Sequence, residues 1–226
     1  MAVQPQGWSA VLFDLDGTLV DTRPGVRSAI AAAFEEVTGS APLTGDLDLS
    51  LPLDRMIRTA APLAPLAVQE QLVAAFRRFY DAGLWQRACA YDGAPECLQA
   101  LRSGGVRTFV VTNKRSSAAE QLLSYLGLRD YVEAIVGQPD TGDAVPKAEL
   151  ARRCLADAGL DPATTVVVGD SDHDAAMAAA WRMIFIAMTS GAGPLVRPND
   201  AQTRLEAANL TDVAAMVLSP VPGRES

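Results

Sequence analysis

The chain has 226 residues, 49% of them hydrophobic, and a formal net charge of −8 with acidic and basic residues interspersed. That length suits one domain, or one domain carrying an insertion. No apolar run approaches the ~18 residues of a membrane helix, Met1–Gly7 lacks a signal-peptide core, and no basic patch recommends nucleic acid; a cytoplasmic protein with neither membrane nor nucleic-acid partner is expected.

The first element is Val11–Phe13, a short apolar run that reads as a buried strand and ends abruptly in Asp14. An amphipathic helix follows, with Val26, Ile30, Phe34 and Val37 on one face, Pro24 near its start and Gly39 at its end. Residues 40–66 are broken by five prolines and glycines (Pro42, Gly45, Pro52, Pro62, Pro65), leaving room for a short helix around Leu53–Ala60. Val68, Leu72, Phe76 and Phe79 mark another helix, so 22–88 shows helices and loops but no convincing strand. From residue 91 the rhythm changes. Strands over "VRTFVVT", "YVEAIVG", "TTVVVGD" and "MIFIAM" alternate with helices over "GAPECLQALRSGG", "SSAAEQLLSYLG", "KAELARRCLADAG" and "DAAMAAA", and "LTDVAAMVL" is a last helix. Such alternation predicts right-handed crossovers and a parallel sheet covered on both faces. The expected fold is an α/β, Rossmann-like parallel-sheet core over 1–22 and 88–226, with an inserted α-helical cap over 23–87. The tail Pro220–Ser226 reads as disordered.

Polar residues sit where these strands end. Asp14 and Asp16 follow the first, Thr112-Asn113 follow "FVV", and Gly169-Asp170 follow "TVVV", with Asp174 four residues on; Lys147 opens the helix after the remaining strand and loop. In open parallel sheets ligands bind outside the carboxyl ends of the strands. Carboxylates gathered there repel one another unless protons or a cation intervene. All-oxygen ligands with no His or Cys favour a hard ion, Mg²⁺ first. A cation, a nucleophilic carboxylate, a second carboxyl for proton transfer and Lys and Thr donors together suit phosphoryl transfer.

"DLDGTLVDT", "VVTNK", Lys147 in "VPKAEL" and "GDSDHDAAMAAA" resemble, in order, the four motifs of the haloacid dehalogenase-like hydrolase superfamily, and best its phosphoglycolate-phosphatase-like branch with a helical cap. The motifs are 98, 35 and 23 residues apart, and the first gap holds the cap. The resemblance implies a Mg²⁺-dependent phosphatase acting on a small phosphorylated molecule, as a monomer or homodimer. It implies that Asp14 is the nucleophile and Asp16 the acid and base. Mg²⁺ would sit among Asp14, the Asp16 carbonyl and Asp170. Thr112, Lys147, Asn113 and the N–H groups near Gly17 would hold the phosphoryl oxygens, and Asp174 would orient Lys147 or a water on the metal. The dehalogenases of the superfamily lack the second Asp, so Asp16 favours phosphoryl chemistry. Two departures stand out: Pro146-Lys147-Ala148 replaces Lys-Pro-x-Pro, and Trp181-Arg182 stand where a Gly is usual.

Plainer readings exist for single motifs. Asp-Gly can be an ordinary turn, and Thr112-Asn113, Asp170, Asp174 and Asp21 can cap helices. The basic set is 17 Arg and two Lys, Lys114 and Lys147; Lys114 reads as a solvated loop residue, with a phosphate ligand as its alternative. His173, alone of its kind, reads as exposed, Trp8, Trp85 and Trp181 as packing residues, and Cys89, Cys97 and Cys154, with no CxxC, as free thiols. The loop Leu51-Pro52-Leu53 with Arg55 and Arg58 is the candidate specificity element, and nothing catalytic is inferred for 190–206. Two alternatives share the fold: a phosphomutase, which needs a cap acid/base that 23–87 does not offer as His or Lys, and a non-catalytic binding protein.

Overall fold

The computed structural model describes residues 7–42, 53–189 and 204–219. Leu51-Pro52, most of 190–206 and the tail lie outside the described residues. The chain divides into two compact units, 1–20 with 90–226, and 21–89.

The first unit is built on β1 (Ala10–Phe13). Two short strands, β2 (Val20–Asp21) and β3 (Cys89–Ala90), mark the crossings between the units and pair as a separate sheet. The second unit consists of α1 (Arg23–Thr38), α2 (Leu53–Ala60) and α3 (Leu66–Asp81). Their apolar stripes meet in a cluster that includes Ile30, Phe34, Ile57, Leu72 and Phe76. Gly39, in the left-handed conformation at φ 64°, ends α1.

The first unit continues as α4 (Ala94–Ser103), β4 (Arg107–Arg115), α5 (Ser116–Tyr125), β5 (Ala134–Gln138), α6 (Lys147–Ala158), β6 (Thr165–Gly169), α7 (Asp172–Ala180), β7 (Ile184–Met188), β8 (Arg204–Ala207) and α8 (Leu210–Leu218). Its strands form one sheet of order β5-β4-β1-β6-β7-β8, with parallel pairing throughout. The expected Rossmann-like fold is what the structure shows. One face carries Leu12, Phe109, Val111, Val167 and Phe185, covered by Leu150, Ala151 and Cys154 of α6 and Met177 of α7. Strands buried on both faces need continuous apolar runs, which is why "AVLF" and "TVVV" end so sharply at their first aspartate.

Three elements differ from expectation. β8 was not foreseen, because four residues with two charges carry no apolar run; as the edge strand it needs none. β4 does not stop at Thr112 but runs to Arg115, with its register against β5 shifting between Val111 and Arg115. Asp21 does not cap α1. Thr22 occupies that position, and Asp21 Oδ1 instead accepts from the Arg23 N–H at 3.0 Å and pairs with its guanidinium.

Candidate active site

The sheet order sets the geometry. From β1 the chain crosses to β4 and β5 on one side, then returns to β6 on the other. The order therefore reverses between β1 and β6, the place beyond whose carboxyl ends open parallel sheets bind their ligands. Phe13 pairs with Val168, and the Asp14 N–H donates to Val168 O at 2.9 Å. Asp14 and Asp170 thus leave adjacent strands at the same edge.

Asp14, Asp170 and Asp174 are all buried, and one carboxylate oxygen of each lies within 4.8 Å of the others. The φ of Gly17 is +91°, and a Cβ there would stand 2.2 Å from Asp170 Oδ2, so only glycine lets the loop after β1 close against that carboxylate. Asp174, in the first turn of α7, is completely closed to solvent. Its Oδ2 accepts from the Ser171 N–H at 3.1 Å and from Ser171 Oγ at 2.6 Å. Its Oδ1 lies 2.5 Å from Lys147 Nζ. Asp174 is thereby both the helix-end acceptor of the plain reading and a partner of Lys147.

Lys147 opens α6, with Pro146 before it as the cap residue. The loop that delivers it is clamped by Gln138, whose side chain donates to Val145 O and accepts from Val145 N, both at 2.7 Å. Lys147 Nζ donates to Asp14 Oδ1 as well. Burial favours the neutral amine, but Asp14 and Asp174 overcome it and hold Lys147 above its usual range. Burial is also the largest influence on Asp14 and pushes its carboxyl well above the usual carboxylate range, while Lys147 pulls the other way. Lys147 thus meets two of the three clustered carboxylates, and Asp170 lies beside them.

Three clustered carboxylates, an all-oxygen donor set, fit a hard divalent cation. Asp14 and Asp170 would hold it, with Asp174 beside them anchored by Ser171 and Lys147.

The other motif residues are placed unequally. Thr112 is buried, and its Oγ1 accepts from the Lys114 N–H at 3.1 Å. Asn113 is exposed, and its Oδ1 takes a long hydrogen bond of 3.4 Å from Gln138. The Gly17 N–H is committed to Val20 O at 2.9 Å, within its own turn. Asp16 is half-buried, and its Oδ1 accepts from Lys114 Nζ at 2.9 Å. Lys114 is therefore not the solvated loop residue expected: it lies in β4 with its side chain 17% exposed. Lys114 and Gln138 were the residues missed. The scarcity of Lys was a signal for the first; the second offers none in the sequence.

His173 is exposed. Trp181 packs against the core, with its Nε1 donating to Ala148 O at 2.8 Å. Arg182, where a Gly is usual, adopts a left-handed φ of 54°. Cys89 is exposed, Cys97 and Cys154 are buried, and all three are free.

Residues 8–181 match the model of the haloacid dehalogenase-like hydrolases. The chain is 33% identical over 189 residues to the phosphoglycolate phosphatase of Cereibacter sphaeroides, covering 80% of this chain and 85% of that one. It is 32% identical over 170 residues to the tyrosine-protein kinase PtkA of Mycobacterium tuberculosis, covering 75% of this chain but only 58% of that relative. Among solved structures, a putative phosphatase from Clostridium difficile superposes with a TM-score of 0.83 at 22% identity, over 93% of this chain and 99% of that one, which speaks for the fold.

Proposed function

The chain belongs to the haloacid dehalogenase-like hydrolase family, and we propose that it hydrolyses a small phosphomonoester, with Mg²⁺ bound, through a phosphorylated Asp14. The observation that supports this reading is the buried set of Asp14, Lys147, Asp170 and Asp174 at the switch point between β1 and β6. Asp14 attacks phosphorus, forming an aspartyl-phosphate as the bond to the alcohol oxygen breaks. Asp16 gives that oxygen its proton, then takes one from the water that cleaves the aspartyl-phosphate and regenerates Asp14. Lys147 neutralises a phosphoryl oxygen, and Asp174 holds the ammonium in place. Thr112 Oγ1 serves as a further phosphoryl contact. A bound Mg²⁺ supplies charge neutralisation for the transferring group.

Phosphoglycolate leads the candidate substrates through the relative named for it. The helical unit 21–89 is the proposed cap; Arg55 and Arg58 on α2, the latter paired with Asp54 at 2.8 Å, are its proposed specificity residues. The protein works as a monomer or homodimer in the cytoplasm on this reading; no helix among the described residues is long and apolar enough to cross a membrane. The test is release of inorganic phosphate from p-nitrophenyl phosphate and from a panel of phosphometabolites, each with and without Mg²⁺. Mg²⁺-dependent release is expected; none from any substrate defeats the proposal.

A second reading is transfer of the phosphoryl group to an acceptor other than water. The likeness to the relative named a tyrosine-protein kinase favours it. Incorporation of phosphate from ATP into a tyrosine peptide, set beside phosphate release, separates the two.

A further inference from the structure

Both lysines of the chain pair with the opening motif. Lys147 meets Asp14, and Lys114 meets Asp16. The other 17 basic side chains are Arg. The Lys147 contact is absorbed by the proposed chemistry, whereas the Lys114 contact is not.

The backbone around Lys114 is specially shaped. β4 pairs with β5 in step up to Val111 opposite Val136, and next at Arg115 opposite Gln138. Four positions on β4 thus span two on β5, and the excess bulges out at Thr112–Lys114. Such irregularities re-aim side chains. The Lys114 N–H is held by Thr112 Oγ1. Its carbonyl rests over Gly137, where a Cβ would stand 2.5 Å from Lys114 O. Both ends of the residue are therefore fixed, and its ammonium donates to Asp16 Oδ1 at 2.9 Å. The two side chains are 17% and 32% exposed, so water screens the pair only in part.

We propose that Lys114 is a positioning residue for Asp16: its ammonium holds the carboxyl group in the one orientation from which it reaches the leaving oxygen. A short aspartate on a loop has rotamer freedom to lose, and a catalytic group is effective only when its own rotamer is locked by neighbours. The inference rests on the phosphatase reading and on Asp16 as its acid and base.

A role exercised through Asp16 has a leaving-group signature. Proton donation matters for an alkoxide and little for p-nitrophenolate, a weak base. kcat/KM covers the steps up to formation of the aspartyl-phosphate, so that donation shows there. Lys114→Met should lower kcat/KM at least tenfold more for an alkyl phosphate than for p-nitrophenyl phosphate, as Asp16→Asn should. Lys114→Arg should recover part of the loss. Adding Lys114→Met to Asp16→Asn should change the alkyl rate less than threefold, because the group it acts through is gone. Equal losses on both substrates, or full additivity in the double variant, overturn the inference; equal losses with a raised KM assign Lys114 to the phosphate instead, and parallel losses with a lowered melting temperature make it structural. Absence of turnover in the wild type overturns the phosphatase reading and this inference with it, whereas a fully active Lys114→Met overturns this inference alone.

Discussion

Lys147 Nζ lies 2.5 Å from Asp174 Oδ1, and the pair is closed to solvent, with side chains 4% and 0% exposed. The same ammonium meets Asp14 Oδ1. One compact cation thus joins the proposed nucleophile to a carboxylate anchored at the start of α7. A guanidinium is planar and wider and cannot take that place without moving one of its partners. Lys147→Arg should therefore lower kcat on the order of 10²-fold or more, as loss of a transition-state donor does. Steady-state kinetics at saturating Mg²⁺, beside a circular dichroism spectrum, checks this.

Mg²⁺ should stabilise the protein. Asp14, Asp170 and Asp174 gather their carboxylates within 4.8 Å of one another, and a cation that binds only the folded state contributes about 2.7 kcal/mol at a hundredfold excess over its Kd. The sign of the pH dependence follows from Asp14. Burial raises its carboxyl well above the usual range, so protons compete with the cation at a higher pH than an ordinary carboxylate would allow. The Mg²⁺-induced rise in melting temperature should be smaller at about pH 5.5 than at about pH 7.5, and Asp170→Asn should abolish it at both. Differential scanning calorimetry reads all of these.

The sheet was legible because its central strands are unbroken apolar runs that end at conspicuous polar residues, as Val11–Phe13 does at Asp14. β8 was not, since an edge strand reading Arg-Leu-Glu-Ala has no such pattern. The types of the site residues could be read from their places after the strands. Of their contacts, that of Asp174 with Lys147 was expected, but others could not be read. Lys114 in "TNKR" has polar neighbours and looks solvated, yet it sits in the segment where β4 slips against β5 and its ammonium meets Asp16. Asn113, in the same segment, is exposed. Likewise, nothing in the spacing shows that Gln138 clamps the loop before Lys147 or that Gly17 N–H is used by its own turn. Register and side-chain direction are set by tertiary packing, which one sequence does not display.

The three cysteines should separate by reactivity. Burial pushes the thiols of Cys97 and Cys154 up to about 12, so almost no thiolate is present near pH 8, while Cys89 is exposed. A thiol–disulfide reagent at about pH 8 should titrate one thiol per folded chain quickly and the other two only after denaturation. Rapid reaction of all three would contradict the packing of α4 and α6.

Arg182 should be replaceable with profit. It holds φ 54° in the turn after α7, where the Met183 N–H reaches back to Ala178 O at 2.9 Å. A left-handed residue with a Cβ costs roughly 1–2 kcal/mol, and glycine avoids that at an entropic cost of about 0.5–1 kcal/mol. Arg182→Gly should raise stability by up to about 1 kcal/mol in urea titration, with kcat unchanged.

The kcat of Asp14→Asn with p-nitrophenyl phosphate and Mg²⁺ decides whether Asp14 is the nucleophile, as proposed. An amide neither attacks phosphorus nor replaces a carboxylate beside Asp170 and Lys147. The variant should keep the wild-type circular dichroism spectrum and lose more than tenfold in kcat, hence more than about 1.4 kcal/mol of barrier lowering. A folded Asp14→Asn protein that retains more than about a tenth of wild-type kcat would contradict it and place the nucleophile elsewhere.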